Sequence, residues 1–335
     1  MWALDYIYGM VFMTHNLEVV ELLPLPGNSG VQMLWRNPPN FHPRSGEYVK
    51  IQLPWLKHGS KEWHPFSIYL KESTKSGWRS VHGLHSYKTL LGEEDKSLGN
   101  FIQEILLSDF KSEVINDITS PIVEEAREDL RKRSETTQVF INPVGDWSKG
   151  LLDELKTQRQ LRACWVRGPY TSPYTAVQSF SHIILTATGI GITPALGVMG
   201  QYPGFSRTKI LIWTTRDKNM LKFFAPLVSD AHLAVVFYTG KEKLGDEEVG
   251  KIRSHGNIYL QQSRPRSLPE IIEHIIVDFE NHLHHSSKDD LDMINVSHKS
   301  SWCVLYCGGS VRMKDELQDF SETNGVSFKY EVFNW

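Results

Sequence analysis

The sequence predicts two joined domains: a small antiparallel β-barrel, then an α/β domain built on a parallel sheet. Three observations carry that expectation. Residues 15–70 hold short β-prone runs cut by Gly, Pro and Asn, with no long helical pattern between them. From residue 181 onward, strand-like runs alternate with helix-like stretches, as in a parallel sheet covered by helices. Residues 181–199, SHIILTATGIGITPALGVM, place a β-branched run, two glycines and a helix-competent segment in direct succession. The length of 335 residues suits two domains of about 150 residues with insertions.

The opening MWALDYIYGMVFM is apolar but interrupted by Asp5. It falls short of the roughly 20 residues that cross a bilayer. It also lacks the basic start and small-residue cleavage site of a signal peptide. Residues 1–14 are therefore expected to be either a buried first helix or a membrane-adjacent stub. The barrel domain is expected over 15–172, with strands in HNLEVVELLP, VQMLWR, EYVKIQLP, PFSIYL, QVFINPVGDW and LRACWVRGPY. Residues 84–136, with the mixed-charge stretch PIVEEAREDLRKR, read as an insertion that carries no chemistry.

The α/β domain is expected over 173–335. Its strand candidates are SHIILTAT, KILIWTTR, HLAVVFYTG, NIYLQQS and SWCVLYCGG. Its helix candidates are PALGVMGQY, NMLKFFAPLVS, LPEIIEHIIVDFENHL and VRMKDELQDFSE. Residues 284–300 read as a polar surface loop, and His282, His284 and His285 as an exposed cluster rather than a metal site. Apolar residues make up 40% and charged residues 22%, an ordinary globular composition. A net charge of −3 gives no basic field for nucleic acid. Cys164, Cys303 and Cys307 show neither a disulfide framework nor zinc spacing, which suits a reducing compartment.

Chemistry gathers where parallel strands end, because ligands of such sheets bind at the carboxyl ends of the strands. Gly189 and Gly191 follow a strand and precede a helix, so backbone N–H groups and a helix dipole converge on one spot suited to phosphate. Thr193 is placed to cap that helix, and Pro194 fits its first turn. The pattern is G-x-G-x-T-P and short of a full dinucleotide fingerprint, so a plain strand–helix turn stays open. Arg216 ends the next strand, where an arginine accommodates the 2′-phosphate of NADP; a simple surface arginine is the other reading. Cys307, Gly308, Gly309 and Ser310 leave room for a flat ring after a further strand, although Cys307 also suits a core. In the barrel half, Trp63-His64-Pro65-Phe66-Ser67 and Gly145-Asp146-Trp147-Ser148 join aromatic rings to hydroxyls. Trp335 ends the chain with an indole able to stack on a planar cofactor.

Taken together, these segments resemble the dehydrogenase region of the ferric reductase and NADPH oxidase superfamily, which has a ferredoxin-reductase-like fold. HPFS at 64–67 resembles its flavin motif, and GDWS at 145–148 a segment against the FAD pyrophosphate. RGPY at 167–170 resembles the segment closing the flavin domain, with Arg167 where an acid is common and Thr171 in place of a glycine. TGIGITP at 188–194, WTTR at 213–216 and CGGS at 307–310 resemble its NADPH-binding loops, and all six follow in family order. The resemblance implies FAD on His64, Pro65, Phe66, Ser67, Gly145, Trp147 and Ser148. It implies NADPH on Gly189, Gly191, Thr193, Pro194, Arg216, Cys307, Gly308 and Gly309. Cys307, Trp335 and Ser67 are the residues implied at the reacting centre, and no metal is expected.

The implied function takes hydride from NADPH and passes single electrons to haem or a metal acceptor, as a ferric-chelate reductase does. A superoxide-generating oxidase, or a degenerate homologue without catalysis, is the alternative. Family members carry haem in membrane helices that this sequence does not contain. The N-terminal residues resemble the tail of the last such helix, so the chain is expected to be part of a longer membrane protein. Its dehydrogenase region would then face the cytosol and meet the membrane through its N-terminal end; a separate soluble reductase is the other reading.

Overall fold

The computed structural model describes residues 12–44, 46–57, 59–70, 136–155, 160–201, 208–286 and 299–332. Of the expected N-terminal stub only Phe12, Met13 and Thr14 fall among them, and of the expected insertion only Thr136. Trp335 lies outside the described residues.

Seven antiparallel strands form the first sheet: β1 (Thr14–Pro24), β2 (Val31–Arg36), β3 (Tyr48–Gln52), β4 (His64–Ser67), β5 (Tyr69–Leu70), β6 (Thr136–Ile141) and β7 (Gln160–Tyr170). Their spatial order is β4-β3-β7-β1-β2-β6-β5. The two edge strands are consecutive in sequence, with Ile68 alone between them, so the sheet curls until its edges meet. PFSIYL is therefore two strands, where one was expected. Ile68 is fully buried, and its N–H donates to the Glu47 carbonyl at 3.0 Å. Alternating residues such as Val20, Leu22, Val49, Ile51, Val139 and Ile141 fill the barrel core.

The expected β-type run through GDW is corrected: β6 stops at Ile141, and helix α1 (Asp146–Leu155) opens at Asp146. Trp147, Leu151 and Leu155 recur at helical spacing and are buried against the barrel. Asp146 favours the helix start through the macrodipole.

The second sheet is wholly parallel, with six strands in the order β11-β10-β9-β8-β12-β13. Chain order is β8 (His182–Thr188), α2 (Ile192–Gln201), β9 (Thr208–Thr215), α3 (Lys218–Phe224), β10 (Leu233–Tyr238), α4 (Asp246–Arg253), β11 (Ile258–Gln261), α5 (Leu268–Ser286), β12 (Trp302–Gly308), α6 (Val311–Asn324) and β13 (Ser327–Val332). α2, α3 and α4 pack on one face, around Leu196, Leu221 and Ile252. α5 and α6 pack on the other, around Ile272, Ile275 and Leu317. β10, buried at every residue, reads as a continuous apolar run for this reason.

α4 and β13 lay beyond the sequence expectation. α4 buries a single side chain, Ile252, so its apolar period is too faint to detect. β13 is an edge strand with no fully buried residue. α5 runs through Ser286, past the expected loop start, and carries His282, His284 and His285 on its last turns. Residues 287–298 lie outside the described residues. No described helix is long and apolar enough to cross a membrane.

Candidate functional site

β8 and β12 are neighbours, yet the chain leaves β8 toward β9 and returns to β12 on the other side. The loops after these strands diverge, and a crevice opens between them at their carboxyl ends. A cleft of about 380 Å³ occupies this place. Gly189, Gly191, Arg216, Gly308 and Gly309 all line it. Residues 119 apart in sequence, Gly189 and Gly308, are thus brought together by the pairing of β8 with β12.

Backbone contact fixes the floor of this cleft. A methyl group on Gly191 would stand 2.3 Å from the carbonyl oxygen of Cys307, so no larger residue fits without a shift. Gly189 adopts φ +52°, a left-handed conformation that glycine takes without strain. The indole Nε1 of Trp213 donates to the Gly189 carbonyl at 2.9 Å. Within WTTR, then, the buried tryptophan pins the glycine turn while the arginine reaches the cleft. Asp217 does not compete for Arg216, because its carboxylate caps α3 through the N–H groups of Asn219 and Met220 at 2.8 and 3.0 Å. Lys218 and Lys222 are both held by Glu248, at 2.9 and 2.5 Å. The Arg216 guanidinium is exposed and has no partner among the described residues.

Pro194 falls in the first turn of α2, as expected, but Thr193 does not cap the helix. A short helical turn over Gly189–Gly191 runs directly into α2, so Thr193 sits inside the first turn rather than at its cap. Both are buried and neither lines the cleft. Cys307 is likewise buried beneath the floor, with its thiol on the α2 face of the sheet. Burial pushes that thiol well above its ordinary pKa, and the Glu331 carboxylate adds to the effect. Its carbonyl and its small size, rather than a reactive sulfur, shape the site.

The barrel motifs meet each other. The His64 ring lies 4.4 Å from Trp147, and Phe66 stacks on the same indole at 5.8 Å. HPFS and GDWS, far apart in sequence, form one aromatic cluster. Pro65 is exposed beside it. The Ser148 hydroxyl is internal: it accepts the Gly145 N–H at 3.1 Å and donates to the Gly145 carbonyl at 3.0 Å. Gly145 itself faces open space. The Ser67 hydroxyl has no partner among the described residues. Ser67 pairs with Tyr48, and Tyr48 with Tyr170, in a row across β4, β3 and β7. Arg167, at the position where an acid is common, covers Trp63 at 4.1 Å and donates to Thr14 Oγ1 at 3.0 Å.

Glu331 is the residue that sequence reading missed. It pairs with Cys307 across β12 and β13, and its charge also raises the pKa values of Tyr48 and Tyr174. Burial raises its own carboxyl above the usual range. Its Oε2 is buried without a hydrogen-bond partner among the described residues, whereas the buried Tyr174 hydroxyl meets the Cys307 thiol. The signal available in sequence was an acid two residues before the terminal FNW.

No protein-family model matches the chain. Among curated proteins it is 25% identical over 187 residues to putative respiratory burst oxidase homolog protein H of Arabidopsis thaliana, a match covering 56% of this chain and 18% of that protein. It is 25% identical over 181 residues to NADPH oxidase 5 of Homo sapiens, covering 54% of this chain and 20% of that protein. The chain is similar to the NADPH oxidases. It spans about a fifth of the length of these relatives. Among solved structures, a flavohemoglobin from Malassezia yamatoensis with bound FAD and heme superimposes with TM-score 0.51 at 13% identity, over 98% of this chain and 63% of that one. That likeness is one of fold. The resemblance drawn from the motifs and the expected order of barrel then parallel sheet are both borne out.

Proposed function

We propose that the chain is an FAD-dependent NADPH oxidoreductase that takes hydride from NADPH and passes single electrons to haem or another one-electron acceptor. The cleft at the β8/β12 crevice carries this reading, because five of the residues expected to bind NADPH line it together. The residues fit both cofactors. Backbone at Gly189–Gly191 offers N–H groups to a pyrophosphate, and the Gly191 contact excludes any side chain there. Arg216, exposed and without a partner among the described residues, offers its guanidinium to a 2′-phosphate. Ser67 offers an unused hydroxyl for the flavin, and Gly145 leaves the start of α1 open to an anion.

When bound, the two cofactors supply the hydride and one-electron chemistry. The chain's own part is positioning. Gly308 and Gly309 line the cleft; Gly308 lets the backbone approach Thr188 and Tyr306, because a methyl there would strike both side chains. Trp335 remains a proposed cover for the flavin ring. For the final acceptor, the FNW ending supports ferric chelate, whereas similarity to respiratory burst oxidases supports oxygen. Ferric reduction that persists without oxygen selects the first, and superoxide stoichiometric with NADPH oxidation selects the second. Contact with a membrane through the N-terminal end belongs to the same proposal.

A visible spectrum of the purified chain, taken before and after anaerobic NADPH, tests the core of the reading. Flavin absorbance that bleaches on addition is the expected outcome. A chain that holds no flavin and reduces no dye overturns it in favour of a non-catalytic homologue. Arg216→Ala is expected to weaken NADPH about tenfold or more while leaving NADH nearly unchanged, by loss of one charge-assisted contact. Equal loss for both nucleotides removes the 2′-phosphate role.

A further inference from the structure

Apart from Asn142, the residues lining the nucleotide cleft come from the α/β domain. Asn142 follows β6 of the barrel. Its placement is built, not incidental. Along β6 the side chains alternate, with Val139 and Ile141 in the barrel core and Phe140 facing the other domain. Phe140 meets Phe223 and Phe224 edge-on at 5.9 and 5.1 Å, near the end of α3. Asn142 is the first residue past the end of β6. It lines the cleft with Asp217 and Met220, at the start of the same helix and next to Arg216.

The local backbone holds it there. Its carbonyl accepts the Val144 N–H at 2.9 Å, and Pro143 stiffens the turn between them. The Asn142 side chain is half-buried, and its carboxamide has no partner among the described residues. A half-buried carboxamide lining a cleft beside Arg216, neither side chain being engaged among the described residues, suits a phosphate or ribose oxygen.

We propose that Asn142 is a barrel-borne contact for the adenosine half of the dinucleotide, donating from its carboxamide to the ribose–phosphate backbone. The inference rests on the NADPH reading above and adds to it. The nucleotide then touches both domains, and the barrel joint through Phe140 sets how well it is held.

The test is calorimetric titration of the flavin-loaded full chain with NADP⁺ and with 2′,5′-ADP. Asn142→Ala is expected to weaken both ligands about tenfold, the loss of one hydrogen bond to a charged acceptor. Asn142→Asp, nearly isosteric, weakens them further, because a carboxylate repels phosphate. Flavin content and unfolding temperature stay at wild-type values in both variants. Binding by both variants equal to wild type overturns the proposal, as does loss of flavin from either one. Wild-type protein that binds neither ligand refutes the NADPH reading itself, which separates the two failures.

Discussion

At Gly191 a single methyl group decides whether the cleft exists. Its nearest atom would be the Cys307 carbonyl oxygen at 2.3 Å, a backbone atom that cannot rotate away. Gly191→Ala is therefore expected to push the β8 and β12 loops apart and to weaken NADP⁺ by more than about tenfold. Gly189 is a different case. Nothing lies within 4 Å of its missing Cβ, so Gly189→Ala meets only the strain of φ +52°, about 1–2 kcal/mol. Titration with NADP⁺ beside thermal denaturation separates them: the first variant loses ligand, the second mainly stability. Both glycines were visible in the sequence as one motif. Their different duties were not, because the Cys307 carbonyl arrives from a strand more than 100 residues away.

At the scale of elements, the parallel sheet carries two half-buried histidines near the starts of its strands. Burial lowers His182, at the start of β8, to about 4; it stacks on Trp302 at 4.6 Å. His232, just before β10, also falls to about 4 by burial, with the Lys209 charge adding to it. The Lys209 N–H donates to its Nδ1 at 2.9 Å, which favours the neutral ring. The folded values lie below the ordinary 6.5. As pH falls below that value the unfolded chain takes up protons first, so the contribution of these two rings is complete above about pH 7 and is lost between about pH 6.5 and 4. Each ring contributes on the order of 1–3 kcal/mol to the drop. Urea midpoints at pH 7.5 and 5 measure it, and His182→Phe, which keeps an aromatic ring against Trp302, is expected to flatten the slope. Elements with strong patterns are legible in the sequence alone: β1, β2, β7, β8 and α5 lie within a few residues of their expected runs. α4 and the helical start at Asp146 are not, since one buries too little and the other begins inside a strand-like run.

For the whole molecule, the joint between the sheets is aromatic and apolar. Leu25 and Phe140 belong to the barrel by chain position but are buried in the core of the α/β domain. The barrel turn at Gly27 also abuts α3, for a methyl there would strike the Asn219 side chain. Phe140→Ala empties the joint and is expected to cost about 3–5 kcal/mol, in the range for truncating a buried phenylalanine. Scanning calorimetry is expected to show one unfolding transition for the native chain and two for the variant. A single, merely shifted transition would mean that other contacts carry the coupling.

The sequence by itself determined the kind and order of the elements, because alternation, helical period and glycine turns are local. It also determined which short segments hold ligand-type chemistry. Only the tertiary structure decided which of those residues share a cleft, because pairing of β8 with β12 is a non-local choice. The same pairing turned Cys307 inward and buried Thr193 and Pro194 away from the cleft. It placed Glu331 beside Cys307, and barrel packing placed Asn142 in the cleft of the other domain. None of these positions has a local signature, since each is set by which strand or helix happens to lie beside it.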